Sequence, residues 1–357
     1  MKSFIKIIIY SCVILYSISL RAQTETEVRN IILMIGDGMG VAQVYAGYTV
    51  NKGFLNLERA TAVGFAKTSS ANSYITDSGA GATALATGQK TINTFIGLDV
   101  SGNYATTILE SAEDKGLSTG LVATSSITHA TPASFVAHTN SRYDSLGIVK
   151  GFLNSGVDIF IGGGRDHFEI SRDSINYSDS LKKRGYTIVY DLESINSKDK
   201  NKIGCLAASM HLPPVLMGRG DFLSKATNIS LSRLSENKKG FFIMIEGSQI
   251  DWGGHQNNLS YVTSEMIDFD QAVGEAFDFA DQNPGTLVVV TSDHETGGLA
   301  LTDGDITMGQ LSGAFSTGGH TGVMVPVFAY GTGAEEFSGM YENTAIYDKM
   351  MHLLRLK

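Results

Sequence analysis

The sequence predicts an α/β protein: a central, mostly parallel β-sheet with helices on both faces, arranged as a three-layer sandwich. Short apolar runs alternate along the chain with helical stretches, and this alternation favours a parallel sheet. Several of the runs are continuously hydrophobic, which is typical of strands covered on both faces. The chain has 357 residues, of which 43% are hydrophobic and 18% charged. That composition supports a sizeable core and excludes a disordered chain or a coiled coil.

Eight short apolar or β-branched runs are the expected strands: 30–35, 61–68, 119–125, 157–161, 187–190, 241–245, 286–291 and 325–330. Seven stretches between or after them are the expected helices: 41–50, 78–87, 104–115, 145–154, 222–234, 261–281 and 345–354. The stretch 165–240 is more polar and irregular. We expect it to be a peripheral subregion of one domain that spans residues 23–357.

The first 22 residues have the pattern of a signal peptide. Lys2 and Lys6 precede the apolar run 7–20, and Ala22 is a small residue at a plausible cleavage point. The run is too short for a membrane span, which needs about 20 residues. We therefore expect cleavage near Ala22, no transmembrane anchor afterwards, and a periplasmic or secreted protein. A lipid anchor on Cys12 and an uncleaved anchor are the alternatives.

The charge and the cysteine content narrow the class of protein further. The chain has 27 basic and 36 acidic residues and a formal net charge of −9. This balance argues against a nucleic-acid-binding surface, which is normally basic. Cleavage after Ala22 would leave Cys205 as the single cysteine, so an internal disulfide is excluded in the mature chain.

Carboxylates and histidines follow several of the expected strands, and all of them are embedded in glycines. The segments are 36–40, 246–255, 292–298 and, before the last strand, 318–322. Open α/β sheets place their sites beyond the carboxyl ends of the strands. Asp with His is a zinc-type ligand set, and oxygen ligands alone suit magnesium. One such residue alone can be a turn or capping residue, but the joint pattern predicts more than one metal ion.

Ser78 is the candidate nucleophile. It lies in the segment 76–84, which reads as a turn into a helix of small residues. Unpaired N–H groups and the helix dipole at such a position stabilise an alkoxide and the phosphate that it attacks. The alternative is that Asp77 or Ser78 only caps the helix. Arg142 could hold two phosphate oxygens with its guanidinium, or it could be a plain surface residue.

Two apparent nucleotide-binding motifs are incomplete. The glycines at 36, 38 and 40 resemble a dinucleotide fingerprint, but Val41 stands where the final glycine of that pattern should be. The segment 88–91 resembles the end of a P-loop but lacks the Gly-Lys pair. A serine hydrolase is also disfavoured, because no Gly-x-Ser-x-Gly surrounds Ser78.

Taken together, the motifs resemble the alkaline phosphatase family over essentially the whole mature length. Six blocks occur in the family order: 35–40, 77–84, 129–132, 246–255, 292–298 and 320–322. The resemblance implies an alkaline phosphatase-like fold and an exported, metal-dependent phosphomonoesterase. Its substrates would be small phosphate monoesters.

The resemblance also implies a role for each matching residue. Ser78 would be the nucleophile that forms a phosphoserine intermediate. Arg142 would hold the phosphate oxygens that are not transferred, with Asp77 helping to orient it. His129 and Trp252 would lie near magnesium and substrate.

Two zinc ions and one magnesium ion are the implied cofactors. The first zinc, which activates the attacking water, would be bound by Asp251, His255 and His320. The second zinc, which lowers the pKa of Ser78, would be bound by Asp37, Asp293 and His294. Magnesium would be bound by Asp37, Thr131 and Glu246.

Some features depart from the family pattern, and they leave alternatives open. Some members have Asp and Lys at the positions of His129 and Trp252, so the identity of the third metal is open. The segment 302–315 is short where many relatives carry a large insertion. A homodimer is therefore a possible assembly, but a dimer built on that insertion cannot be assumed. The alternative functions are a phosphodiesterase or phosphonate hydrolase of the same superfamily, or a non-catalytic phosphate- or zinc-binding protein.

Overall fold

The computed structural model describes residues 27–196 and 199–356. The expected signal peptide and its cleavage point lie outside the described residues. The strands are β1 (Asn30–Gly36), β2 (Ala62–Lys67), β3 (Ser118–Ser126), β4 (Ile159–Gly163), β5 (Tyr186–Val189), β6 (Lys202–Leu206), β7 (Phe241–Gly247), β8 (Thr286–Thr291), β9 (Glu295–Thr296), β10 (Leu299–Asp305), β11 (Gln310–Phe315), β12 (His320–Thr321), β13 (Val325–Gly331) and β14 (Gly339–Glu342).

The helices connect these strands. They are α1 (Val41–Val50), α2 (Ser78–Thr87), α3 (Ile108–Asp114), α4 (Ala130–Ala133), α5 (Ser145–Asn154), α6 (Arg165–Glu169), α7 (Tyr177–Lys183), α8 (Phe222–Leu234), α9 (Gln249–His255), α10 (Leu259–Gln282) and α11 (Thr344–Leu353). In the part of the chain that the structure describes, no helix is both long enough and apolar enough to cross a membrane.

Ten strands form the central sheet, in the order β14-β2-β13-β8-β1-β7-β3-β4-β6-β5. Strand β13 runs antiparallel to β2 and β8, and the other neighbouring pairs are parallel. The strands β8, β1 and β7 lie side by side in the middle. Their register sets Ile35 level with Glu246 on one side and with Thr291 on the other. The segments that follow these three strands therefore leave the sheet together, at the edge where α/β proteins bind ligands.

Each face of the sheet is covered by helices, so the side chains of a central strand alternate between two cores. In β1, Ile31, Leu33 and Ile35 contribute to one core, and Ile32 and Met34 to the other; all five are fully buried. Helices α2, α3, α5 and α11 supply the first core, and α1, α8 and α10 the second. The predicted α/β class with helices on both faces is confirmed.

Some elements differ from the sequence prediction for local reasons. The helix expected at 104–115 begins only at Ile108, because Thr107 caps it. Its hydroxyl accepts a hydrogen bond from the backbone N–H of Glu110 (3.1 Å), whose side chain accepts one from the N–H of Thr107 (2.8 Å). The strand β6 and the antiparallel hairpin of β10 and β11 were not predicted.

A buried arginine fastens the segment after β6 to the long helix α10. Arg219 donates to the carboxylate of Asp268 (2.8 Å) and to that of Glu265, and its side chain is only 1% exposed. The Glu265 carboxylate also accepts the backbone N–H of Val215 (2.9 Å). Burial raises the pKa of Glu265 and Asp268, and the attraction of Arg219 opposes that rise. The guanidinium thus supplies the positive charge that stabilises the two buried carboxylates.

We predict that Arg219→Met lowers the free energy of unfolding by about 3–5 kcal/mol, since it leaves two buried carboxylates without a cation. Arg59→Met is the matched control, because Arg59 also contacts two acids of α10, Asp278 (2.7 Å) and Asp281 (2.8 Å), but is partly exposed. Its loss should cost no more than about 1 kcal/mol. Urea unfolding measures both values, and equal losses would contradict the prediction.

Candidate active site

The predicted ligand residues meet at the carboxyl ends of the central strands. Asp37 follows β1, Glu246 lies near the end of β7, and Asp293 and His294 follow β8. Asp293 lies in a bend rather than in a strand, so that neighbouring side chains can face the same space. The loop after β1 approaches α9 closely at Gly38 (φ +74°), where a Cβ would lie 2.7 Å from the Cα of Asp251.

Three imidazoles are each held by Nδ1, so that Nε2 faces the site. Nδ1 of His255 lies 2.7 Å from the carbonyl oxygen of Gly318, and Nδ1 of His320 lies 2.9 Å from that of Thr76. A carbonyl can only accept, so Nδ1–H is the donor in both pairs. Nδ1 of His294 lies 3.2 Å from the hydroxyl of Thr296. Histidine ligands of metals are commonly oriented through their other nitrogen in this way.

The free nitrogens of His255 and His320 converge on one carboxylate. Their Nε2 atoms are 3.2 Å apart, and they lie 3.3 and 3.5 Å from Oδ1 of Asp251. With both Nδ1 atoms protonated, neutral rings have only lone pairs to direct at each other and at the carboxylate. A cation between the three groups removes that repulsion. Asp251 and His255 share one face of α9, because residues four apart lie on the same side of a helix.

A second group joins Asp37, Asp293 and His294, whose ligand atoms all lie within 4.8 Å of one another. All three side chains are fully buried. His294 also lies within the same distance of Asp251 and His320, so the two groups adjoin. Such adjacent sets of carboxylate and imidazole suit two zinc ions.

A third group is formed by Asp37, Glu246 and a nitrogen of His129. The hydroxyl of the buried Thr131 points to no hydrogen-bond partner among the described residues, and the same holds for one oxygen of Glu246 and both oxygens of Asp37. Buried polar atoms are normally satisfied. Oxygen atoms left in this state fit a hard cation such as magnesium.

The pKa shifts of these groups have the same cause, a lack of compensating charge. Burial raises the pKa of Glu246 to about 7 and that of Asp293 to about 6. Burial and the neighbouring carboxylates raise the pKa of Asp37 well above its usual range. Burial, with the nearby Arg142, lowers the pKa of His129 to about 3 and that of His294 well below its usual range. Metals bind neutral imidazoles and ionised carboxylates, so a cation bound here would favour the ionised form that burial alone disfavours.

Ser78 is the first residue of α2 and is buried beside the second group. Its Oγ lies 3.2 Å from Nε2 of His294. Asp77 caps the helix by accepting the N–H of Ala80 (3.0 Å), and it also accepts a hydrogen bond from Nη1 of Arg142 (3.1 Å). The capping role and the orienting role of Asp77 therefore coexist. Burial opposes the charge of Arg142, but Asp77 raises the pKa of that guanidinium.

His129 lies beside Nη2 of Arg142, the terminal nitrogen that does not donate to Asp77, and Trp252 packs against His129. Nε2 of His129 is 3.4 Å from Nη2 of Arg142, and its ring meets the indole of Trp252 edge to face at 6.2 Å. His211 packs against the same indole at 4.8 Å. The structure thus brings together every residue predicted for the site.

Sequence reasoning missed residues that orient the ligands. The Thr296 hydroxyl donates to Oδ1 of Asp251 and receives Nδ1–H of His294, so it links the two zinc-type groups. Thr296 stands inside the block 292–298, but only the three-dimensional distances reveal this link. His211 was missed because it follows β6, a strand that was not predicted.

Because the ligand cluster is rich in buried carboxylates, we predict that Asp37→Asn changes the melting temperature in opposite directions in the absence and in the presence of metal. In protein stripped with EDTA, Asp37→Asn should raise the melting temperature by about 2 °C or more, because it removes a buried like charge. In zinc- and magnesium-loaded protein it should lower the melting temperature, because it removes a shared ligand. Asp114→Asn, at an exposed carboxylate, is the control and should change neither. A lower melting temperature in both states would contradict cation binding by this cluster.

The comparisons with known proteins agree with this geometry. Residues 28–312 match the family model described as alkaline phosphatase. Alkaline phosphatase 3 of Bacillus subtilis is 34% identical over 93% of this chain and 90% of its own. Alkaline phosphatase of Escherichia coli is 30% identical over 94% of this chain and 88% of its own.

The solved structures include the alkaline phosphatase of the Antarctic bacterium TAB5, which is 43% identical and has a TM-score of 0.88. The match covers 93% of this chain and 99% of that one. The resemblance to the alkaline phosphatase family seen in the sequence is confirmed. On this evidence the chain is a metal-dependent phosphatase and belongs to the alkaline phosphatase family.

Proposed function

We propose that the protein hydrolyses phosphate monoesters through a phosphoserine intermediate on Ser78. One observation carries the proposal: Ser78 Oγ lies at a helix N-terminus, 3.2 Å from a ligand-type nitrogen of His294. Anions are stabilised at this position by the N–H groups of the first helical turn. Arg142, oriented by Asp77, presents its guanidinium to the same end of α2.

The proposed reaction consists of two successive displacements at phosphorus. Oγ of Ser78 attacks phosphorus, the bond from phosphorus to the ester oxygen breaks, and the departing alcohol takes up a proton. Water next attacks the phosphoserine, the bond from phosphorus to Oγ breaks, and inorganic phosphate leaves while Ser78 regains its proton. Arg142 holds two oxygens that stay on phosphorus in both steps, so the same contacts stabilise both transition states.

The proposed cofactors are two zinc ions and one magnesium ion. The first zinc would be held by Asp251, His255 and His320, the second by Asp37, Asp293 and His294. Magnesium would be held by Asp37, Thr131 and Glu246. When bound, such ions supply positive charge next to Ser78 and to the attacking and leaving oxygens. A variant of the TAB5 enzyme in which a histidine is replaced by aspartate was solved with magnesium in its M3 site, so a related protein binds magnesium at a site of that name.

The alternative substrate class is a phosphate diester or a phosphonate. Ser78, Arg142 and the third-site residue Glu246 favour the monoester. A monoester has three free phosphoryl oxygens, one more than a diester, for the guanidinium of Arg142 and for ions held near Glu246. The last alternative is a non-catalytic phosphate- or zinc-binding protein, which the complete set of nucleophile and ligand residues disfavours.

Export is also part of the proposal, and the signal-peptide pattern of residues 1–22 supports it. The mature chain would then act in the periplasm or outside the cell. A homodimer is also part of the proposal, and it would not use the large insertion that many relatives carry, because the segment 302–315 is short.

We expect hydrolysis of p-nitrophenyl phosphate at alkaline pH, abolished by EDTA and restored by zinc with magnesium. Ser78→Ala should lower kcat by about 10³-fold or more, because the nucleophile is lost. Ser178→Ala is the matched control: Ser178 is also 1% exposed and lies near the start of a different helix, α7. It should retain wild-type kcat.

The bis-ester of p-nitrophenol, assayed in parallel, separates the alternatives. Preference for the bis-ester over the monoester would move the substrate class to diesters. Absence of turnover of both esters by metal-loaded protein would favour the binding protein. Wild-type activity in Ser78→Ala would overturn the proposed nucleophile.

A further inference from the structure

Glu295 is a buried carboxylate that the proposed mechanism does not use. It is 3% exposed and stands directly after the ligand-type residues Asp293 and His294. No arginine or lysine of the described residues forms a salt bridge with it. A buried charge without a cation is costly, so its hydrogen bonds must compensate.

Four neutral donors from three segments converge on this carboxylate. Oε1 accepts from Nε2 of Gln43 (2.7 Å) and from the backbone N–H of Leu299 (3.2 Å). Oε2 accepts from the backbone N–H of Gly298 (3.2 Å) and from the hydroxyl of Thr321. Both oxygens are therefore fully engaged inside the protein.

Each of the three segments also carries a candidate metal ligand. Gln43 lies in the first turn of α1, just after the loop of Asp37. Thr321 is the neighbour of His320, and Glu295 itself is the neighbour of His294. The hydrogen bonds that Glu295 accepts thus connect the segments of the two proposed zinc groups, and we call this set of hydrogen bonds the Glu295 tie.

Gln43 and Gly40 fit closely against Glu295. The Gln43 side chain accepts the N–H of Gly40 (3.0 Å) and also donates to the carbonyl of Thr296 (2.9 Å), and it is fully buried. At Gly40, a Cβ would lie 2.5 Å from Cγ of Glu295. A residue larger than glycine at position 40 would therefore clash with the Glu295 side chain.

The position of the segment that contains His320 depends most on the Glu295 tie. Strand β12 has only two residues, and it pairs with the two residues of β9. Besides that pairing, His320 is held through Nδ1 by Thr76, and Thr321 is held by Glu295. By contrast, His294 directly follows the central sheet.

We propose that Glu295 is a positioning residue that holds the His320 segment against the segment of His294, in the position in which His320 can bind the first zinc ion together with Asp251 and His255. This inference rests on the proposed two-zinc function. It predicts that weakening the tie accelerates zinc release from the group of His320, Asp251 and His255, while the group of Asp37 keeps its ion.

The test is zinc release from the metal-loaded protein into excess pyridylazoresorcinol, followed by absorbance. In Glu295→Gln, an amide NH₂ faces a donor, and one of two zinc ions should leave about 10-fold faster or more, the size typical for partners of metal ligands. The zinc concentration needed for half-maximal hydrolysis should rise similarly, while kcat at saturating zinc stays near the wild-type value. Thr321→Val, which removes only the hydroxyl donor, should act in the same direction and decides the matter if Glu295→Gln does not fold.

Asp270→Asn is the matched control. Asp270 is also buried and accepts the backbone N–H groups of Asn56 (2.8 Å) and Leu57 (3.0 Å), but it lies in α10. It should lower the melting temperature without changing zinc release. If Thr321→Val and any folded Glu295→Gln also lowered the melting temperature without changing zinc release, the role of Glu295 would be purely structural and the inference would be overturned. A wild-type protein that binds no zinc would overturn the proposed function together with it.

Discussion

Uncompensated negative charge at the end of the central sheet is the constraint on which the rest of the site depends. The carboxylates of Asp37, Glu246, Asp251 and Asp293 are all buried, and the other three act together with burial to raise the pKa of Asp37. The nearby Arg142 is engaged by Asp77. Cations bound among the carboxylates are therefore needed for these groups to be ionised together.

The fold creates this concentration of charge and keeps it in place. Parallel strands of matched register deliver three acidic segments to one edge of the sheet, and glycines let the loops approach one another. Orientation then comes from residues that are not ligands. Thr296 joins Asp251 to His294, and Glu295 joins the segments around them. Stability and catalysis are coupled here, because the groups that would bind metal are also those whose burial costs most without it.

Much of this could be predicted from the sequence, for identifiable reasons. The continuous apolar runs give the central strands, and the unusual concentration of Asp, His and Gly after them marks the site. What could not be predicted depends on distant parts of the chain. Arg219 meets Glu265 only because the segment after β6 folds onto α10, and a short polar-flanked strand such as Lys202–Leu206 gives little periodic signal. The late start of α3 reflects a capping box at Thr107, which competes with the helical pattern before it.

The covalent intermediate on Ser78 is the central claim, and acid trapping tests it most directly. Metal-loaded protein would be mixed with a phosphate monoester, quenched in acid and digested, and the peptide that contains Ser78 would be weighed by mass spectrometry. The proposed mechanism predicts an added mass of one phosphoryl group on Ser78, present with substrate and absent after EDTA. Steady turnover with Ser78 unmodified under these conditions, or a phosphoryl group on another residue, would contradict it.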